Sequence, residues 1–137
     1  MKHFAFNIES QSSSGWLDRA EKCVNLLTSI KPELLGTPTL ADVGCGDQKL
    51  KRALVAGSIN FIYQGYDISP QHPDIKRLDV NSEQLVGDYD VIAALGITEY
   101  IDLPRFLVSM RKHCRFFVVS HVLKNTRMYS EELLNVS

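Results

Sequence analysis

The run Asp42-Val43-Gly44-Cys45-Gly46-Asp47 places an acid and two glycines where a short, partly apolar segment ends. Glycine at both positions lets the backbone turn sharply and lie against a ligand with no Cβ between them. Asp67 follows twenty-one residues after Gly46, at the end of the next apolar segment. A carboxylate there can accept hydrogen bonds from both hydroxyls of a ribose. Together the turn and the acid describe a nucleoside site. A dinucleotide loop would need glycine at position 49, which is Lys49, and a phosphate loop would need a Gly-Lys-Ser/Thr ending, which is absent. The four histidines form no cluster with Cys or Asp at metal-ligand spacing, so no metal is expected.

These residues need a scaffold that turns at the same edge after each strand. Trp16, Leu17, Ala20, Val24, Leu27, Leu26 and Ile30 recur at helical spacing after serines able to cap, and Pro32 limits that helix. Thr39 to Val43 reads as a buried strand entering the glycine turn. A helix over 48–56 follows, with Leu50, Ala53 and Leu54 on one face and Gly57 placed to end it. Strands are expected at 61–66, 75–78 and 89–95. Asp102 can cap a helix with Pro104 in its first turn, and 114–120 is the most strand-like run. Five strands alternating with helices predict an α/β fold, Rossmann-like and doubly wound, with a mainly parallel sheet and helices on both faces. In such a sheet the loops after the strands gather at one edge, where ligands bind.

At 137 residues the chain has the size of one compact domain, and we assign 1–137 to it, with 1–15 as an N-terminal arm and 122–137 as a short C-terminal tail. Apolar residues make up 45% and charged residues 23%, ordinary values that argue against disorder and coiled coil. No apolar run is long enough to span a membrane, and the first fifteen residues lack the apolar core of a secretory signal. With three widely spaced cysteines, Cys23, Cys45 and Cys114, the expected location is cytoplasmic with reduced thiols. The net charge of −1 conceals an asymmetry. Residues 67–102 carry eight acids against two bases, and residues 103–130 carry six bases and no acid. Such blocks are either solvated faces that attract each other or, for the basic one, an edge for an anionic acceptor such as RNA.

Asp42-Val43-Gly44-Cys45-Gly46 resembles the first motif of the class I, Rossmann-like S-adenosylmethionine-dependent methyltransferases, an acid and two glycines at alternate positions. The family often has a third glycine where this chain has Gln48. The resemblance continues in order. Gly65-Tyr66-Asp67-Ile68 looks like the ribose-binding second strand, which implies Asp67 on the ribose and Ile68 against the adenine. Leu78-Asp79-Val80 looks like the third-strand motif, which implies that Asp79 accepts from the adenine amino group and that the Val80 amide contacts the ring. Asp79 capping the turn at Asn81, and Ile68 as a core residue, are the plainer alternatives. Tyr89 to Gly96 resembles the fourth strand, with backbone carbonyls near Leu95 and Gly96 holding the methionine amino group. In Ile97-Thr98-Glu99-Tyr100-Ile101, Tyr100 stands where the family often has histidine. It either borders the acceptor pocket or packs under the next helix, while Glu99 fixes the helix start or faces the sulfonium.

The resemblance covers residues 16 to about 121 and then stops, because the family continues with a helix and two more strands. The chain is therefore expected to be a shortened methyltransferase, a fragment, or a module completed by a partner or a second copy covering the hydrophobic strand at 114–120. The resemblance implies S-adenosylmethionine as cofactor. The implied activity is methyl transfer to a small-molecule or saccharide-type acceptor; an RNA acceptor and a non-catalytic cofactor-binding module are the alternatives. Methyl transfer from a sulfonium needs alignment and exclusion of water more than acid-base chemistry. If a general base is used, His121, at the end of the fifth strand, is the best-placed histidine, otherwise a surface residue beside the basic segment.

Overall fold

The computed structural model describes residues 2–6, 13–97 and 100–120. Among these residues six parallel strands form one sheet in the order β1-β6-β5-β2-β3-β4. The strands are β1 (Lys2–Phe6), β2 (Thr39–Val43), β3 (Ile62–Asp67), β4 (Lys76–Arg77), β5 (Tyr89–Ala94) and β6 (Cys114–Ser120). Helix α1 (Ser13–Ile30) precedes β2, α2 (Lys49–Ala56) joins β2 to β3, and α3 (Leu103–Met110) leads towards β6 through a short 3-10 turn at Arg111–His113. The doubly wound α/β architecture expected from the alternation of elements is present, with one more strand than expected.

That strand corrects the assignment of residues 1–15 to an arm. Lys2–Phe6 pairs in parallel with β6 over Lys2↔Phe116 to Phe6↔Ser120. The hydrophobic strand at 114–120 is therefore an interior strand, covered by the chain's own N-terminal segment and not by a partner. Its Phe117 and Val118 are fully buried.

The central strands are apolar on both faces, as parallel strands under two helical layers must be. Ala41, Val43, Ile92, Ala94, Phe117 and Val119 face one core with Phe106, Leu107 and Met110 of α3. Leu40, Val91, Ala93, Phe116 and Val118 face the other, with Cys23, Leu27 and Ile30 of α1 and Leu50 and Leu54 of α2. Each large apolar side chain buried in these layers contributes about 1.5–3 kcal/mol. Helix α3 begins as expected, Asp102 accepting the Arg105 N–H at 3.2 Å, and α2 ends on Gly57, whose N–H returns to Ala53.

The buried stripe of α1 differs from the expected one. Arg19, Ala20, Cys23, Leu27 and Ile30 point inward, whereas Leu17 is 49% exposed. Apolar spacing alone puts Leu17 inside and passes over Arg19, because it scores a guanidinium as a surface group whatever partners it has.

Candidate functional site

The turn after β2 is fixed by its backbone. Gly44 and Cys45 both donate their N–H to the Tyr66 carbonyl, at 2.8 and 3.0 Å, tying the turn to β3. Gly44 adopts φ +73°, and a Cβ there would lie 2.0 Å from Ile97 Cγ2, so glycine is required by packing as well as by conformation. Gly46, at φ +54°, has open space where its Cβ would be. Gln48, where the resembled family often has glycine, adopts the same left-handed conformation at φ 63°. Lys49 and Arg52 clamp Asp47 from α2, at 2.9 and 3.2 Å, and the Lys49 hydrogen bond holds the Asp47 carboxyl below its ordinary pKa.

Asp67 closes the other side. Its Oδ2 accepts the Gly46 N–H at 2.9 Å and its Oδ1 accepts the Ser69 N–H at 3.0 Å. Each carboxylate oxygen has a second lone pair, so the acid that orders the turn retains acceptor capacity towards the cleft. Asp42 lies deeper, 2% exposed, with Tyr63 Oη donating to its Oδ2 at 2.5 Å. Burial pushes the Asp42 carboxyl up to about 7; the Tyr63 hydrogen bond opposes that rise and the Asp67 charge adds to it. Burial, followed by the charges of Asp42 and Asp67, raises the Cys45 thiol to about 12, which makes it a poor nucleophile.

A cleft of about 420 Å³ opens at this edge of the sheet, lined by Asp42, Gly44, Gly46, Asp67, Leu95 and Gly96 among others. Six of the nine expected cofactor residues thus meet in one cavity. The Leu95 carbonyl already accepts a hydrogen bond from Arg19 Nη1 at 3.0 Å, leaving one lone pair for a ligand. Ile68, Asp79 and Val80 do not line the cleft. Ile68 is 54% exposed just past Asp67, an apolar side chain in the open and not the core residue of the plainer alternative. Asp79 Oδ1 accepts the Asn81 N–H at 3.0 Å, the turn-capping arrangement. Val80 packs partly buried against the α3 side of the core.

Tyr100 is 71% exposed and donates its backbone N–H to the Ile97 carbonyl, so it does not pack under α3. Glu99 and His121 lie outside the described residues. Among the described residues no group of three or more His, Cys, Asp or Glu is arranged to hold a metal, and no helix is long and apolar enough to cross a membrane.

Three residues with no expected cofactor role shape the site, Ile97 from the cleft wall and Arg19 and Tyr63 from behind it. Ile97 sets the requirement for Gly44, Arg19 brings a buried cation to the Leu95 carbonyl, and Tyr63 holds Asp42. A helical spacing of four between Arg19 and Cys23, continued to Leu27, is the available signal for Arg19.

No family profile and no curated protein sequence matches the chain. Its fold nevertheless recurs among solved structures. DesVI from Streptomyces venezuelae superposes with a TM-score of 0.60 at 17% identity, over 83% of this chain and 54% of that one. The sugar N-methyltransferase KedS8 from Streptoalloteichus gives 0.58 at 19%, over 81% and 51%. The plantazolicin methyltransferase BpumL, solved with a monoazolic desmethylPZN analog and SAH, gives 0.59 at 13%, over 89% and 59%. The chain thus spans between half and three-fifths of the length of these structures. Its fold is that of the class I S-adenosylmethionine-dependent methyltransferases. Within that fold, the acid-glycine turn and the strand-ending acid lie side by side at the carboxyl edge of the sheet.

Proposed function

We propose that this chain binds S-adenosylmethionine in the cleft beside Asp67 and transfers its methyl group to a small-molecule or saccharide-type acceptor. The observation that carries the reading is the Asp67 carboxylate, held by Gly46 and Ser69 yet with lone pairs to spare, at the rim of a cleft floored by the glycine turn. In this reading Asp67 accepts from the ribose hydroxyls, and exposed Ile68 gives the adenine an apolar surface. Asp79 and the Val80 amide, outside the cleft itself, are assigned to the edge of a ring that extends past Asp67, with one Asp79 oxygen shared with the Asn81 N–H. Asp42, Gly96 and the free lone pair of the Leu95 carbonyl take the methionine ammonium. The residues present fit the cofactor: a buried carboxylate at the cleft suits a ligand cation, and Gly46 leaves open space at the cleft where a Cβ would otherwise stand.

The cofactor supplies an already activated methyl group, so the chain has to orient the donor, admit the acceptor and exclude water. Tyr100, exposed beyond Ile97, is the candidate contact for the acceptor, and His121, following Ser120 at the end of β6, is the candidate base. The sugar N-methyltransferase and the plantazolicin methyltransferase among the similar folds favour acceptors of modest size.

The RNA alternative has less support. Arg111, Lys112 and Arg115 lie where the chain enters β6, so in a parallel sheet they occupy the edge opposite the cleft. Calorimetric titration with S-adenosylmethionine, followed by methyl transfer from a labelled donor to a panel of amino sugars and short peptides, tests the proposal. Binding with transfer to one class supports it. Binding without transfer to any favours the non-catalytic module, and no binding by folded protein removes the cofactor assignment.

A further inference from the structure

Beneath the glycine turn lies a polar cluster that the motif residues do not account for. Leu40 pairs with Tyr63 and Asp42 with Gly65, so Tyr63 and Asp42 sit two residues apart on the diagonal between adjacent strands, on the face packed by α1 and α2. Gly65 leaves the space in which the cluster meets. A Cβ there would lie 2.9 Å from Cys45 Sγ and 3.3 Å from Tyr63 Oη. Across this gap Tyr63 Oη donates to Asp42 Oδ2, and Oδ1 has no hydrogen-bond partner among the described residues while Asp42 lines the cleft.

We propose that Tyr63 is a positioning residue that orients the buried Asp42 carboxyl at the cleft and favours its ionised form, so that affinity for a ligand ammonium depends on pH through this pair. The inference rests on the cofactor reading, because the ammonium is that of the methionine moiety. The titratable groups around Asp42 are Tyr63 and Asp67 from β3, Cys45 from the turn and Cys23 from α1, while Asp47 of the turn and Lys49 of α2 line the same cleft as an ion pair at 2.9 Å. The neighbouring β5 offers Ala93 and no titratable group in register with it. Burial raises both thiols, so they stay neutral, and Asp67 repels a second negative charge. Arg19 of α1 is engaged at the Leu95 carbonyl. Among these neighbours Tyr63 is the one that hydrogen-bonds the Asp42 carboxyl directly, and that bond favours its ionised form.

The test is the affinity for S-adenosylhomocysteine between pH 5.5 and 8.5, measured for wild type, Tyr63→Phe and Asp42→Asn. S-adenosylhomocysteine carries the same ammonium and carboxylate without the labile sulfonium. In wild type, affinity rises with pH around the Asp42 pKa of about 7. Tyr63→Phe keeps the ring and moves the midpoint up by about one to two pH units, with binding about tenfold weaker at pH 7 and the gap narrowing by pH 8.5. Asp42→Asn binds weakly and without this pH dependence. The Asp42 carboxyl resonance, followed by carbon NMR without ligand, shows the same shift of midpoint. Equal midpoints for wild type and Tyr63→Phe, by either readout, overturn the assignment of Tyr63 even if affinity is uniformly lower. Failure of folded wild type to bind at any pH overturns the cofactor reading and the ammonium's role with it, which is a different result.

Discussion

Gly46 donates its backbone N–H to Oδ2 of Asp67 at 2.9 Å, across twenty-one residues of sequence. The turn that floors the cleft and the acid at its rim are one unit, because the bond sets how far β3's end stands from the turn. An acid placed only to meet a ribose would leave the turn free to move. Here the carboxylate that orders the turn is also the one proposed to meet the ribose.

Asp67→Ala is therefore expected to act twice. It removes the acceptor for the ribose, weakening S-adenosylmethionine binding by about 1.5–3 kcal/mol as charge-assisted hydrogen bonds disappear. It also frees the N–H groups of Gly46 and Ser69, so thermal stability falls. Calorimetry and a melting curve separate the two effects. Unchanged affinity with lowered stability would leave Asp67 as a purely structural acid.

The two glycines of the turn should respond differently. Alanine at Gly44 meets Ile97 Cγ2 at 2.0 Å as well as adopting an unfavourable φ of +73°. Its cost is the left-handed backbone penalty of about 1–2 kcal/mol plus the repacking of Ile97. Combining it with Ile97→Ala should recover the packing part. Alanine at Gly46 incurs the backbone penalty alone, since nothing lies within 4 Å, but Gly46 lines the cleft in which the ligand is proposed to bind. Urea denaturation should rank Gly44→Ala as the less stable variant, and titration should show Gly46→Ala losing more affinity than stability.

Gln48 has the conformation of a glycine without being one, at φ 63°. Its buried amide reaches Asp74 Oδ2 at 3.5 Å, a long hydrogen bond. Gln48→Gly should raise the urea midpoint. The relief of left-handed strain, about 1–2 kcal/mol, exceeds the added flexibility of the unfolded chain, about 0.4–1 kcal/mol. A lower midpoint would mean that the side chain, packed against Gly65, outweighs the strain.

The structure departs from what the sequence discloses at positions whose partners are distant. The runs Thr39–Val43, Tyr89–Ala94 and Cys114–Ser120 are legible because both their faces are apolar, and α3 because Asp102 caps it. Asp67 is legible because the turn and the next strand have a regular length. Lys2–Phe6 is not, since five residues carry no sign that β6 needs a neighbour. Nor is Tyr63, whose meaning depends on the β2–β3 register and on the space left by Gly65. Asp79 is legible as an acid after a strand, yet the same residue type caps turns, and only coordinates reveal its bond to Asn81.

Asp42 also makes stability depend on pH. Its carboxyl ionises near pH 7 in the folded chain and near 3.8 when unfolded, so between these values the folded state holds the extra proton. The Asp42 contribution to stability then falls as pH rises from about 4 to 7 and levels off above, the reverse of a salt-bridged carboxylate such as Asp47. Asp42→Asn should flatten this part of the profile, measured by urea denaturation at several pH values. Ligand binding near pH 6.5 should release protons, because an ammonium beside the carboxylate favours its ionised form, and titration in buffers of different ionisation enthalpy reads that release.

Three residues of the basic block offer the last test, because their position bears on the acceptor. Arg111 and Lys112 are exposed in the turn before β6 and Arg115 is exposed beside Phe116, all at the edge opposite the cleft. The nearby acid is partly engaged there, with His113 Nδ1 3.4 Å from Asp88 Oδ1. An RNA bound along this edge would present its bases on the wrong side of the sheet for methyl transfer. Replacing Arg111, Lys112 and Arg115 by Gln should leave S-adenosylmethionine affinity within about twofold, as exposed charges remote from the cleft contribute little. RNA binding by wild type should be weak and unselective. Every phosphate that the triple substitution leaves unneutralised should flatten the salt dependence by a slope of about 0.7 for single strands, since fewer counterions are released. Filter binding at three salt concentrations checks this, and tight, sequence-selective RNA binding abolished by the triple substitution would restore RNA as the acceptor.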